Sequence, residues 1–97
     1  MKPPMLILTV AVLACVHPSS VRAATCAGIV VEARGEQSRF EWLAKTKARA
    51  NWRNKVRRTP GLGTKYAVWA QAQNTDEHCL SGPAGTVCIF TGTPCRP

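Results

Sequence analysis

Cysteine is the residue type in this 97-residue chain that is best able to do covalent chemistry. No Cys-x-x-Cys motif occurs among its five cysteines, so the usual sequence signature of a redox enzyme is missing. A zinc site would need ligands gathered from scattered positions, with His78 among them, because no cysteines have the short spacing of a structural zinc site. We therefore predict no metal site and no cofactor. Four cysteines are predicted to form two disulfides: Cys26, Cys79, Cys88 and Cys95.

Arginine gives the chain a second kind of chemistry, because its guanidinium group holds phosphates and carboxylates through paired hydrogen bonds. Lys and Arg outnumber Asp and Glu by 13 to 5, which gives a formal net charge of +8. On a helix, four arginines would cluster on one side with a tryptophan that can stack beside a bound group. These candidate anion-binding residues are Arg39, Trp42, Arg49, Arg53 and Arg57. The alternative is a solvated face that only keeps the protein soluble, since charge alone gives non-specific attraction.

Residues suited to catalysis are few. Ser81, His78 and Asp76 could form a Ser-His-Asp set on paper, but they crowd one short predicted strand and lack a nucleophile-elbow motif. The glutamates of residues 32–41 flank the start of a predicted helix, where acids compensate the helix dipole. The sequence also lacks a glycine-rich motif that could cradle a phosphate. We therefore predict a protein that is not an enzyme.

Residues 1–23 have the anatomy of a secretory signal, with Lys2 at the start, an apolar run over residues 5–16 and a cleavage site after Ala23. The run is about a dozen residues long, and a spanning helix needs roughly 20, so the mature form is predicted to have no transmembrane helix. Residues 24–97 would form a single domain with a charge of 11 − 5 = +6. An alternative stays open: residues 12–15 approximate a lipobox, in which Cys15 would be acylated and anchor a lipoprotein.

One long helix is predicted to position the arginines. Residues 39–58 contain no Gly or Pro and are rich in Ala, Leu, Lys and Arg. Ser38 and Glu41 match a capping box at the start, and the Thr-Pro-Gly sequence at residues 59–61 ends the helix. Its buried side is predicted to be an i+4 ladder with one neighbour: Phe40, Ala44, Ala48, Trp52 and Val56, with Leu43 alongside.

The remaining segments predict a small antiparallel sheet. Residues 25–32 carry a β-branched run and predict a strand, and residues 78–91 predict a strand, a turn at residues 82–85 and a second strand. Residues 65–73 fit a short helix better than a strand. The order is strand, helix, short element, strand, strand. This order predicts an α+β fold in which one long basic helix packs on the sheet.

The turn favours one of the three disulfide pairings that four cysteines allow. A turn centred on residues 83–84 places Cys79 opposite Cys88, where cross-strand Cβ atoms are close enough for a bridge. The favoured pairs are therefore Cys79–Cys88 and Cys26–Cys95. The second pair would join the two ends of the domain. It closes a long loop, for which the chain-entropy model gives roughly 4 kcal/mol of stabilisation.

The same residues carry a resemblance that covers most of residues 26–97. Its members are spaced alanines leading to Trp52, then Val56, Gly63, Tyr66, Trp69, Cys79, Cys88 and Pro94 with Cys95. In this pattern the chain resembles a family of small, exported, cysteine-containing alphaproteobacterial proteins of unknown function. The resemblance implies an extracytoplasmic protein with a shared disulfide-stapled fold. It implies no catalytic residues and no known ligand.

These features together predict a small exported non-catalytic protein of the bacterial envelope or periplasm, or a secreted one. Its arginine-rich helix face is predicted to bind an anionic partner, which could be a lipid headgroup, lipopolysaccharide or an acidic protein. No nucleic acid is expected, because the signal directs the chain away from it. Two alternatives remain: a structural or protein-interaction component without a specific anion site, and a cationic secreted effector. The sequence leaves the oligomeric state open.

Overall fold

The computed structural model describes residues 25–97, and the predicted signal segment, its cleavage site and Cys15 lie outside the described residues. The described chain has the predicted α+β fold. Its elements in chain order are β1 (Thr25–Cys26), β2 (Val31–Arg34), α1 (Glu41–Arg57), two single-turn 3-10 helices (Thr64–Tyr66 and Trp69–Gln71), β3 (Gln73–Gly82), β4 (Gly85–Thr93) and β5 (Cys95–Arg96).

Strand β4 is the centre of the fold. It lies between β2 and β3 and pairs with both in antiparallel fashion, which gives the sheet order β2-β4-β3. Every second residue of β4 is buried, because one face of the sheet packs against α1. The core between the two layers includes Phe90, Trp52 and Val56. Strands β1 and β5 form a separate two-stranded sheet from the two ends of the described chain.

Both disulfides have the predicted partners. Cys79 lies directly opposite Cys88 in the β3–β4 register, and the two residues are bonded. Cys26 pairs with Cys95 across β1 and β5 and is bonded to it. The hairpin turn is the predicted one, because Gly82 pairs with Gly85 and leaves residues 83–84 as a two-residue loop. The turn length therefore sets the register that brings the first pair of cysteines together.

The prediction of one strand over residues 25–32 is wrong. The disulfide at Cys26 and the hydrogen bond from the Ala27 N–H to the Pro94 carbonyl (2.8 Å) hold the first part of this segment on β5. The second part joins β4 in a different sheet. The chain must cross between the two sheets, so Ile29 and Val30 are exposed despite their strand-forming side chains.

The predicted capping box is also wrong. Ser38 uses its backbone as a sheet partner: its N–H donates to the Thr86 carbonyl at 2.9 Å, and the Thr86 N–H donates back at 2.7 Å. The helix therefore begins at Glu41, after an extended Phe40 at the N-cap position, and no side chain caps it. This displacement leaves Phe40 exposed rather than buried. The rest of the ladder is confirmed, since four residues are fully buried: Ala44, Ala48, Trp52 and Val56.

Small residues let α1 approach the chain that leads into it. A Cβ on Gly35 would lie 2.5 Å from the backbone nitrogen of Ala48, which is closer than real Cβ atoms come to any neighbour. Gly35 and Ala48 thus allow direct backbone contact between the end of β2 and the middle of α1. This contact fixes the helix along β2, which decides the direction in which each basic side chain points.

The prediction of a short helix at residues 65–73 is correct only in part. The segment forms two separate 3-10 turns, and β3 already begins at Gln73. Between Gln73 and Asp76 the register of β3 shifts, and Asn74 has a positive φ of 53°. This irregularity joins the loop to the strand at the edge of the sheet.

Candidate anion-binding surface

The helix carries the bases in three directions, because successive helical residues are turned by about 100°. Within the segment from Lys45 to Arg58, seven of fourteen residues are Lys or Arg, and the one acid of α1 is Glu41 in its first turn. One group reaches β3 through Arg49, a second reaches β2 through Lys55, and a third consists of the half-buried Arg53 and the exposed Arg57. Each group has a different environment.

Arg49 is the basic residue on the β3 side. Its Nε and Nη2 atoms donate to the two carboxylate oxygens of Glu77, both at 2.8 Å. Its guanidinium group also lies over the ring of Trp69, with Cζ at 4.2 Å from the ring centroid. The two charged side chains are only 31% and 19% exposed. The structure thus places Arg49 in a bridge between the helix, β3 and the 3-10 loop, where its guanidinium group already has an anionic partner.

This bridge should contribute to stability. We expect Glu77→Gln to lower the free energy of unfolding by about 1–2 kcal/mol, because it removes one charge-assisted hydrogen bond and leaves a half-buried guanidinium without its counter-ion. The matched control is Lys45→Gln, which breaks the exposed Glu41–Lys45 pair (3.2 Å) and should change stability by less than about 0.5 kcal/mol. Urea denaturation curves measure both values, because urea is uncharged and does not screen ion pairs. Equal small losses would show that the Arg49 bridge contributes no more than a surface ion pair.

On the β2 side, α1 covers the edge of the sheet with hydrogen bonds. The side chains of Asn51, Trp52 and Lys55 donate to backbone carbonyls of β2, at 2.9, 3.0 and 2.8 Å. Their acceptors are the carbonyls of Arg34, Val31 and Glu32, respectively. The carbonyls of Glu32 and Arg34 point to the same outer edge, so the Lys55 and Asn51 contacts engage groups that an edge strand would otherwise offer to another chain. Asn51 also donates to the Glu36 carboxylate at 3.1 Å, and this hydrogen bond is the main cause that lowers the pKa of Glu36.

An open cavity of about 580 Å³ lies along the same edge. The residues that line it are Glu32, Ala33, Arg34, Asn51, Lys55 and Arg58. The sequence analysis missed this cluster because Arg34 belongs to a strand and the others to the helix. The i, i+4 spacing of Asn51 and Lys55 was the available signal that one side of α1 faces a polar edge. Glu32 lines the cavity and the Lys55 ammonium is bound to the Glu32 carbonyl, so the positive charge here is partly compensated.

Arg53 and Arg57 form the third group, one and two turns beyond Arg49 on the same i+4 row of α1; we call them the outer arginines. Arg57 is exposed and Arg53 is half-buried. The Arg57 guanidinium donates to Asn54 Oδ1 at 3.1 Å, a contact within the helix. Among residues 25–97 the ion pairs are Glu41–Lys45 and Arg49–Glu77. Neither outer arginine therefore has an acidic partner in the described chain.

Two aromatic rings lie at the other end of the helix. Phe40 and Trp42, which we call the aromatic pair, are 51% and 67% exposed. Their rings are stacked, with centroids 6.2 Å apart and planes inclined by 19°. Trp42 points to the same side of α1 as the outer arginines, and Arg39 is exposed just before the pair. Of the predicted anion-binding set, the structure therefore keeps Arg39, Trp42 and Arg57 exposed, and it leaves Arg53 half-buried.

The residues of the hypothetical catalytic triad do not come together. Asp76 and His78 pair with Thr91 and Ile89, on the sheet face opposite to α1, whereas Ser81 is an odd number of residues away and pairs with the buried Thr86. Ser81 Oγ lies 2.9 Å from Thr86 Oγ1. Within residues 25–97, no group of three His, Cys, Asp or Glu side chains could hold a metal ion. The helices of the described region include none that is both long and apolar enough to cross a membrane.

The fold and this surface define a small α+β domain that is stapled by two disulfides and covered on one face by a basic helix. Comparisons with protein-family models, with curated proteins and with solved structures find no match for the chain. The resemblance to small exported alphaproteobacterial proteins therefore stays a prediction, and the function must be argued from the surface itself.

Proposed function

We propose that this protein is a small, exported, non-catalytic domain that binds an anionic partner of the bacterial envelope through the outer side of α1. The observation that carries the proposal is the separation of charges on the helix. Glu77 is bound to Arg49 and Glu41 to Lys45, while the outer arginines Arg53 and Arg57 have no acidic neighbour in the described chain. Unpaired arginines on one side of a rigid helix suit an anion with several charged groups.

Two further features support export and binding. Disulfides persist in oxidising compartments, and both pairs of cysteines in the domain are bonded. The charge of +6 that follows removal of residues 1–23 would attract anionic envelope polymers and headgroups over a distance of about one Debye length. The dispersed candidates for acid–base catalysis support a role that depends on binding alone.

The proposal predicts that affinity depends on where the charge lies, not only on its total. We expect Arg53→Gln with Arg57→Gln to weaken binding to dextran sulfate roughly 30-fold at low salt, since each base near an anionic surface contributes about 1 kcal/mol. The matched control, Arg34→Gln with Lys65→Gln, removes the same charge from exposed positions off the helix and should cost threefold or less. Titrations over a series of salt concentrations measure both, and the outer-arginine variant should show a shallower salt dependence.

If both variants lose the same affinity, binding follows net charge and the assignment to the helix is wrong. A protein-interaction component without an anion site is then the better candidate. The structure gives that candidate one specific observation: β3 is an edge strand of ten residues, and in the described chain α1 covers the β2 edge but not the outer edge of β3. An open strand edge can accept a strand from another protein.

A further inference from the structure

We propose that the anionic partner is a lipid bilayer, and that α1 lies flat on it with the aromatic pair inserted at the level of the headgroups. This inference rests on the proposed function and names its partner. The observation behind it is that two stacked aromatic rings are exposed at the start of the same helix. Binding by charge alone would not require these exposed rings.

The aromatic pair is unusual for a domain of this size. The molecule buries Trp52 completely and half-buries Trp69, but it leaves Trp42 67% exposed and Phe40 51% exposed. The rings stack on each other and not on the core, so together they form one apolar projection. Tryptophan is enriched at membrane–water interfaces because one part of its ring is apolar while its N–H stays hydrated.

The helix aligns this projection with the outer arginines. Arg53 follows Trp42 by 11 residues and Arg57 follows it by 15, so their directions differ from that of Trp42 by about 20° and 60° around the axis. The corresponding distances along the helix are about 16 and 22 Å. A plane that touches the Trp42 ring can therefore also meet the exposed Arg57, with the half-buried Arg53 between the two. Glu41, the acid of α1, is turned about 100° away and is ion-paired with Lys45.

The shape of this surface favours a bilayer over an acidic protein. The Trp42 ring and the Arg57 side chain project into solvent from α1, whereas the open cavity that could receive a single group lies at the β2 edge. A projecting stripe with rings at one end and arginines at the other fits a flat surface that offers phosphates and acyl chains together. Amphipathic elements bind anionic membranes through this combination of ring insertion and basic charge.

Brominated lipids test the insertion, because bromine quenches tryptophans that enter the bilayer. With vesicles of phosphatidylcholine and phosphatidylglycerol, we expect strong quenching of the wild-type protein and little quenching of Trp42→Phe, whose remaining tryptophans are Trp52 and Trp69.

Trp42→Phe should bind within about twofold of wild type because it keeps an apolar ring. Phe40→Ala with Trp42→Ala should bind roughly tenfold or more weakly. The matched control, Leu80→Ala with Val30→Ala, removes exposed apolar side chains elsewhere and should leave binding unchanged.

The outcomes separate this inference from the proposed function. Vesicle binding that needs Arg53 and Arg57 but shows no quenching of Trp42, with the double aromatic variant binding as well as wild type, would overturn the insertion and leave anion binding intact. Binding to dextran sulfate but not to anionic vesicles would overturn the bilayer and leave the proposed function standing, with a polysaccharide or a protein as the partner. Binding to neither probe would overturn both. Circular dichroism spectra of the variants establish that each is folded.

Discussion

A Trp52→Ala substitution is expected to lower the free energy of unfolding by about 5 kcal/mol, which is comparable to the whole stability of a domain of this size. Trp52 is fully buried between α1 and the sheet and meets the ring of Phe90 edge-on, with centroids 5.5 Å apart. Truncating a buried aromatic residue to alanine costs about 3–5 kcal/mol. The loss of its buried Nε1–H bond to the Val31 carbonyl (3.0 Å) adds about 1 kcal/mol.

Two related substitutions separate the contributions to this effect. Trp52→Phe keeps a large apolar ring but removes the N–H donor, so we expect it to lose about half as much stability. Trp42→Ala removes the same side chain from an exposed position and should change stability by about 0.5 kcal/mol or less. Denaturant unfolding followed by far-ultraviolet circular dichroism measures all three, because this signal reports mainly on the backbone and so remains when a tryptophan is replaced. A Trp52→Ala protein as stable as Trp42→Ala would mean that the core does not depend on Trp52.

The parts of the fold that were predicted correctly depend on local patterns. The i+4 spacing of apolar residues from Ala44 to Val56 predicts which side of the helix is buried, and the residues at these positions are fully buried in the structure. The turn at residues 82–85 sets the register of β3 and β4, and the register places Cys79 opposite Cys88. Once this pair is assigned, the other two cysteines have only each other as partners.

The parts that failed depend on contacts between residues far apart in the sequence. Ser38 and Glu41 have the spacing of a capping box, but Ser38 pairs with Thr86, 48 residues later, and the helix starts without a side-chain cap. The sequence between residues 25 and 32 reads as one strand, but the two ends of that segment are held by different sheets. Neither competing partner can be recognised from the local sequence.

In the candidate site, too, the local features were predicted correctly and the contacts between distant residues were not. A helical wheel correctly separates the buried side of α1 from its basic sides, but it does not say which flank meets β3. Arg49 and Glu77 are 28 residues apart, and only the tertiary fold reveals that this arginine is bound in a bridge. The anion-binding set predicted from the wheel therefore contains Trp42 and the outer arginines, but it also contains Arg49, whose role is a structural contact. Phe40 is exposed because the helix begins one residue after it, and the local sequence pattern could not predict that start.

Removing the Cys26–Cys95 disulfide is expected to destabilise the protein more than removing Cys79–Cys88. The first bridge closes a separation of 69 residues and the second one of 9. In the chain-entropy model these loops correspond to about 4 and about 2.5 kcal/mol, respectively. The structure adds to the difference: β1 and β5 pair over only two residues each, whereas Cys79 and Cys88 lie in a hairpin that the turn and several backbone pairs also hold.

The measurement compares Cys26→Ala with Cys95→Ala and, as the matched control, Cys79→Ala with Cys88→Ala. Alanine is chosen because Cys88 and Cys95 are fully buried and a serine hydroxyl would add an unpaired polar group. Thermal unfolding should show the larger decrease in Tm for the first pair, and amide exchange should show lost protection at β1 and β5 only in that variant. A larger decrease for the hairpin pair would contradict the loop argument. The two bridges together correspond to about 6.5 kcal/mol, so the fully reduced chain should be largely unfolded. A stable reduced form would remove the physical reason for expecting this domain outside the cytoplasm.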